Sequence, residues 1–274
     1  MKTITSLAVL FAGLVPLSAA HADEAEAPSA ITVSGSATLA SDYRFRGVSQ
    51  SDKEMAVQGG LTVSHESGLY VGTWASNLSG WGTFGGANME LDLIGGYKAK
   101  LSDHLALDVG LTWYMYPGGA DDTDFAEPYV KLSGTTGLAT LTAGVAYAPK
   151  QYALANVSNA SNSRGQKQDN LYLWGDGAFA IGGTPLTAKA HIGYSDGNPG
   201  LGPNGTSVAP TGTYWDWSLG MDAAWRNLTL NVSYVDTDIT RAESAALQPN
   251  FSKGQDGRGS IANGAVVASL TAAF

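Results

Sequence analysis

The chain of 274 residues contains no cysteine, which excludes a disulfide framework, a thiolate metal centre and a cysteine nucleophile. Charge is sparse at 14% of residues, and basic charge is sparser still. With 15 Lys and Arg against 24 Asp and Glu, the formal net charge is −9 and the pI is near 4.7, which argues against nucleic acid as a partner. After residue 22 no run of about 18 apolar residues occurs, so no transmembrane helix is expected. Amphipathic helices are missing as well. Only Arg241 to Leu247 reads as weakly helical, so a parallel sheet of βαβ units has no crossover helices to draw on. Against these absences stand 35 glycines, 7 Trp, 12 Tyr and 7 Phe, a composition built to fold. The mean hydropathy of −0.04 is that of a soluble protein.

The N-terminus carries an address. Lys2 precedes the apolar run Leu7 to Leu17, and Ala20-His21-Ala22 follows. A charged start, an apolar stretch too short to span a bilayer and an A-x-A site make a secretory signal peptide over residues 1–22, cleaved after Ala22. The acidic, alanine-rich residues 23–30 read as a mobile tail, and residues 31–274 form one domain.

Along that domain the dominant signal is alternation with period two, which places one residue set on each face of a strand. Met89, Leu91, Leu93 and Tyr97 alternate with Glu90, Asp92 and Lys98. Leu105, Leu107, Val109, Leu111 and Trp113 alternate with Asp108, Thr112 and Tyr114. A helical stripe would put Glu90, Asp92 or Asp108 among apolar positions. Turn signals divide the chain into about twelve segments, starting near residues 31, 55, 69, 89, 104, 125, 138, 169, 186, 214, 228 and 261. Their connections alternate between tight turns and long loops, the longest at 237–259. Residues 69–76 have apolar side chains on both parities, so their facing is open.

Period two alone does not distinguish a lipid-facing wall from the core of a secreted β-sandwich. Aromatic residues favour the membrane. Tyr43, Phe45, Trp113, Tyr147, Tyr194, Trp215, Trp217 and Tyr234 fall beside the long loops, while Tyr97 and Phe274 fall at the opposite end, outlining two interfacial girdles. The sequence ends inside an alternating segment, Val266, Ala268, Leu270, Ala272 and Phe274, as a barrel that pairs its last strand with its first requires. That ending also resembles the C-terminal signal read by outer-membrane assembly machinery, with Phe274 as its terminal aromatic. The balanced hydropathy is then the average of a polar and an apolar face. The expected fold is all-β: a transmembrane antiparallel up-and-down β-barrel of about 12 strands, with short periplasmic turns and long extracellular loops.

Four motifs carry a family resemblance. Ser41-Asp-Tyr43-Arg-Phe45-Arg46-Gly47-Val-Ser49-Gln50-Ser51 resembles the opening motif of the TorF-type porin family, and Gly68-Leu-Tyr70-Val-Gly72-Thr-Trp74-Ala-Ser76-Asn77 is similar to its second block. Glu90-Leu-Asp92-Leu with Gly95-Gly96-Tyr97, and Tyr114-Met-Tyr116-Pro117-Gly118, resemble the third and fourth. The resemblance implies a Gram-negative outer-membrane barrel, surrounded by outer-membrane lipid and lipopolysaccharide and inserted by the barrel assembly machinery.

The polar face then lines a lumen. Its expected charges are Arg44, Arg46, Glu90, Asp92, Lys98, Asp108, Glu127, Lys131, Asp176, Lys189, Asp216 and Asp222, together with His191. Seven carboxylates against five bases give a modest preference for cations, unless the charges pair across neighbouring strands and only brace the wall. Arg44 and Arg46 are placed at the loop-side rim of the first strand, where they could clamp a loop carboxylate. No cofactor or dedicated metal site is expected. The Asp121-Asp122-Thr-Asp124 cluster lacks calcium-loop spacing, and the glycines near Gly80, Gly118 and Gly200 read as loop tips. A barrel lipase needs a His beside a Ser on the lipid face, and His191 has lumen parity, so an enzyme is not expected. The reading is a passive channel for small hydrophilic solutes or ions. The alternative is a non-conducting binding or structural barrel, plugged by a loop such as 149–168 or 237–259.

Overall fold

Alternating side chains need one polar and one apolar environment, and strands closed on themselves supply both without leaving an unpaired edge. In a computed structural model of the chain, residues 30–120, 123–155, 166–201 and 207–274 are described. The expected signal peptide over 1–22, nearly all of the expected tail, Asp121 and Asp122, and the middle of the 149–168 loop lie outside the described residues. No described helix is long and apolar enough to cross a membrane.

The wall is built from β1 (Ile31–Ala40), β4 (Ala56–His65), β5 (Leu69–Asn77), β6 (Met89–Lys100), β7 (Leu105–Met115), β8 (Phe125–Thr136), β9 (Ala139–Gln151), β10 (Gln168–Ala180), β11 (Leu186–Gly197), β12 (Thr213–Trp225), β13 (Leu228–Thr237) and β14 (Ala265–Ala273). Every neighbouring pair is antiparallel, and these twelve strands close by pairing β1 with both β4 and β14. At the seam Leu39 stands opposite Leu270, and the Gly35 and Phe274 backbones exchange hydrogen bonds of 2.7 and 2.9 Å. The expected β-barrel is therefore present.

Two faces follow from the pleat. Val33, Leu61, Val71, Leu93, Leu111, Leu132, Leu141, Leu219 and Val266 are exposed around the outside. Outward aromatics sit near both ends: Trp113, Tyr147, Trp215 and Tyr234 beside the long loops, Tyr97 and Phe274 beside the short turns. Inside, Asp92, Asp108, Glu127, Asp216 and Asp222 are buried. The open facing of β5 is settled the same way: Leu69 and Val71 point out, while Tyr70 and Trp74 point in and pack against inward groups. Rings fit inside because glycines face them. A Cβ at Gly96 would stand 2.5 Å from the Tyr70 hydroxyl, and one at Gly110 would stand 2.5 Å from that of Tyr129.

The structure corrects the first loop. The sequence reading carries the wall through Tyr43 and Phe45 as girdle residues and puts Arg44 and Arg46 on its rim. The wall ends instead at Ala40, and the chain folds inward as a short hairpin of β2 (Arg44–Phe45) and β3 (Val48–Ser49). Tyr43 is buried, and Phe45 is partly buried against the same core. Alternation runs unbroken into a hairpin, so period two cannot show that the chain has left the wall. The last strand also begins later than expected, at Ala265, because Ile261 and Ala262 are buried among the loops.

Candidate functional site

The inward hairpin turns at Arg46-Gly47, both at positive φ (48° and 79°), the two-residue turn that suits a twisted hairpin. Gly47 is required twice over, since a Cβ there would run into Thr237 Cγ2 and approach Asp216. Arg44 braces the hairpin from behind: its Nε meets Asp42 Oδ2 at 2.5 Å, and its Nη1 donates to the carbonyls of Gly47 and Ile261 at 2.9 and 3.0 Å. The neighbouring Lys53 donates to Ser260 O at 2.6 Å, and burial, followed by the nearby Arg44, holds its ammonium below the usual lysine range.

Above the hairpin the long loops form their own core. Val48 packs with Trp81, Tyr214, Ile239, Leu247, Phe251 and Ile261, and the Trp81 and Phe251 rings meet edge to face at 4.8 Å. Beside it, Phe84 stacks on Tyr116 at 4.6 Å within a cluster that includes Tyr43, Phe125, Leu154 and Val208. The loop between β13 and β14 contains α1 (Arg241–Ala246), started by a capping box between Thr240 and Glu243. A water-sized cavity of about 10 Å³ remains between these clusters, lined in part by Phe45, Glu90, Tyr116 and Tyr214.

The tip of the hairpin delivers Arg46 into the barrel. Its Nη2 lies 2.7 Å from both Glu127 oxygens, and its guanidinium lies 4.1 Å from the Tyr172 ring centre and 4.7 Å from that of Phe45. The network continues on the far side of Tyr172. The Tyr172 hydroxyl is 2.9 Å from His191 Nε2, and it donates to Asp216 at 3.2 and 3.3 Å. His191 is clamped between Asp176, 2.7 Å from Nδ1, and Asp216, 3.1 Å from Nε2. One loop residue thus ties β8 to the β10–β12 part of the wall.

The other charges fall into pairs or stand alone. Lys131 meets Asp108 at 3.2 Å, and Lys189 meets Asp222 at 3.8 Å. Tyr70 donates to Asp108 at 2.7 Å and is hydrogen-bonded to Tyr129. Lys98 is exposed at the short-turn end of β6. Glu90 and Asp92 have no cationic partner among the described residues; Tyr43 donates to Glu90 at 2.8 Å, and Asp92 Oδ1 has no hydrogen-bond partner there. Among the described residues no group of three His, Cys, Asp or Glu could together hold a metal ion, and Asp124 accepts from the Tyr116 backbone. The sequence reading missed the ring system of Tyr43, Tyr70, Tyr129 and Tyr172. For Tyr70, Tyr129 and Tyr172 the available signal was an aromatic residue on polar parity, each facing a glycine (Gly96, Gly110 and Gly193), whereas Tyr43 shares the parity of the apolar face and gave no such signal.

The NanC porin is 12% identical with a TM-score of 0.56, the match covering 89% of this chain and 99% of that one. The KdgM porin, solved in complex with disordered oligogalacturonate, is 8% identical with a TM-score of 0.52, covering 88% and 98%. At such identities the likeness is one of fold, and it is the fold of porins. No curated protein matches the chain. The model of a family described as "Bacterial protein of unknown function (Gcw_chp)" matches residues 24–274, and the chain belongs to that family.

Proposed function

We propose that the chain is an outer-membrane channel of porin type, passing small hydrophilic solutes or ions with a modest preference for cations. The observation that carries this reading is a closed barrel with a continuous apolar exterior and an interior lined by Ser, Thr and charged side chains. Outside, the wall suits lipid; inside, it suits water and solute. The long loops then lie outside the cell and both barrel ends of the chain in the periplasm. Cation preference is supported by the charges left after pairing, because Glu90 and Asp92 are the buried carboxylates without a counter-charge among the described residues. The acidic oligosaccharide in the KdgM structure suits this lumen poorly for the same reason.

A second reading, the non-conducting barrel, is favoured by one specific observation: Val48, Phe251 and Ile261 are nearly or fully buried in a loop core over the long-loop end. The inward-folded elements supporting it are the 41–55 loop and the loop before β14. Purified protein in a planar bilayer separates the two readings. Discrete conductance steps support the channel, and a silent bilayer at every voltage supports the plug. A hydrolase finds less support, because His191 faces inward between two carboxylates, and His65, exposed at the end of β4, meets Ser67 within a short turn at 2.9 Å and not on the lipid-facing wall.

A further inference from the structure

Most of the interior carboxylates have a basic partner. Glu127 has Arg46, Asp108 has Lys131, Asp222 has Lys189, and Asp176 and Asp216 share His191. Glu90 and Asp92 break this pattern. They lie two residues apart on the inward face of β6, Glu90 is 3% exposed and Asp92 6%, and Asp92 Oδ1 has no hydrogen-bond partner among the described residues. Glu90 and Glu127 both lie within electrostatic reach of Asp92, which adds repulsion rather than relief. Two neighbouring buried carboxylates without a counter-charge are costly, and proteins meet that cost by pairing, by protonation or by binding a cation.

We propose that Glu90 and Asp92 form a binding site for a small divalent cation of the hard, oxygen-preferring class. Charge balance sets the valence, since two carboxylates that face no basic side chain and release their protons on binding are neutralised by one divalent ion. Donor chemistry sets the class: the Tyr43 hydroxyl is hydrogen-bonded to Glu90 and Tyr116 lines the same small cavity as Glu90, and oxygen-only sets suit calcium or magnesium over softer metals. The water-sized cavity against Glu90 and Tyr116, which Asp92 does not line, gives room for a water on the Glu90 side of the ion. No third carboxylate completes the set among the described residues, so the ion is held weakly and exchanges. Because Tyr43 comes from the inward loop and Glu90 from the wall, the bound ion would also fasten that loop to β6. The inference stands on the barrel interior and does not depend on conduction.

Terbium(III) tests it, because nearby Tyr and Trp rings sensitise its luminescence. Full-length refolded protein, stripped with chelator, is titrated with terbium, then with calcium, magnesium or potassium as competitor. Saturable emission displaced by calcium or magnesium and not by potassium is expected. Asp92→Asn and Glu90→Gln should each weaken it about tenfold or more, since even an outer-shell partner is worth that much. Asp236→Asn, at an exposed Tyr–Asp pair on the outer rim, should leave it unchanged. Melting gives a second readout. Calcium should raise the midpoint of wild type and not of Asp92→Asn, while in chelator Asp92→Asn should melt at or above wild type. Equal emission from wild type, Glu90→Gln and Asp92→Asn, or loss with Asp236→Asn alone, overturns the site. So does a calcium shift that survives in Asp92→Asn. Conductance without sensitised emission removes the cation site and leaves the channel; sensitised emission without conductance does the reverse.

Discussion

Arg46 is the side chain from which the inward hairpin hangs, and its loss should be felt at once. Replacing it with alanine strands Glu127, 3% exposed, without its counter-charge, a change that costs about 3–5 kcal/mol when a buried pair is broken from one side. Equilibrium unfolding in urea should show that loss for Arg46→Ala, and adding Glu127→Gln should recover part of it. The interior pair of Asp108 behaves similarly. Parity alone makes Asp108 a lumen residue open to charge reversal, but it accepts from Tyr70 and meets Lys131, so Asp108→Arg should destabilise the fold by the same measurement. Parity was enough to find Glu90, Asp92, Asp108, Glu127, Asp216 and Asp222. It was not enough to find their partners, because Arg46, Tyr70 and Tyr172 approach from elements far apart in sequence.

At the scale of elements, each strand presents opposite demands to its two faces. Leu111 on β7 is 41% exposed on the outside, and Leu111→Arg should cost about 2–4 kcal/mol in a bilayer, as a basic residue on the lipid face does near mid-membrane. Folding titrations into lipid vesicles would measure it, and an equal cost for Thr112→Arg on the inner face would reverse the face assignment. The β2–β3 hairpin makes a different prediction. Replacing residues 44–49 by a short Gly-Ser linker removes Arg46 and Val48 from the interior, so single-channel conductance should rise while the wall still forms. Strand starts were legible in the sequence to within a few residues, because turns interrupt the alternation. The exceptions mark loop residues that alternate without joining the wall: Tyr43 and Phe45 after β1, and Ile261 before β14. Alternation reports which side chains share a face, not whether that face belongs to the barrel or to a segment folded into it.

The whole molecule joins a lipid-suited wall to an interior with more acid than base. The hydropathy near zero that resembles a soluble protein is the average of these two surfaces, and part of the glycine content makes room for inward rings such as Tyr70 and Tyr129. If the channel reading holds, selectivity comes from the carboxylates that remain after pairing. The most direct test is the reversal potential of the purified protein in a planar bilayer across a potassium chloride gradient. In chelated, divalent-free buffer discrete conductance steps are expected, with a reversal potential displaced toward the potassium equilibrium potential and moved toward zero by Glu90→Gln or Asp92→Asn. A silent bilayer at every voltage, or a reversal potential on the chloride side, would contradict the account.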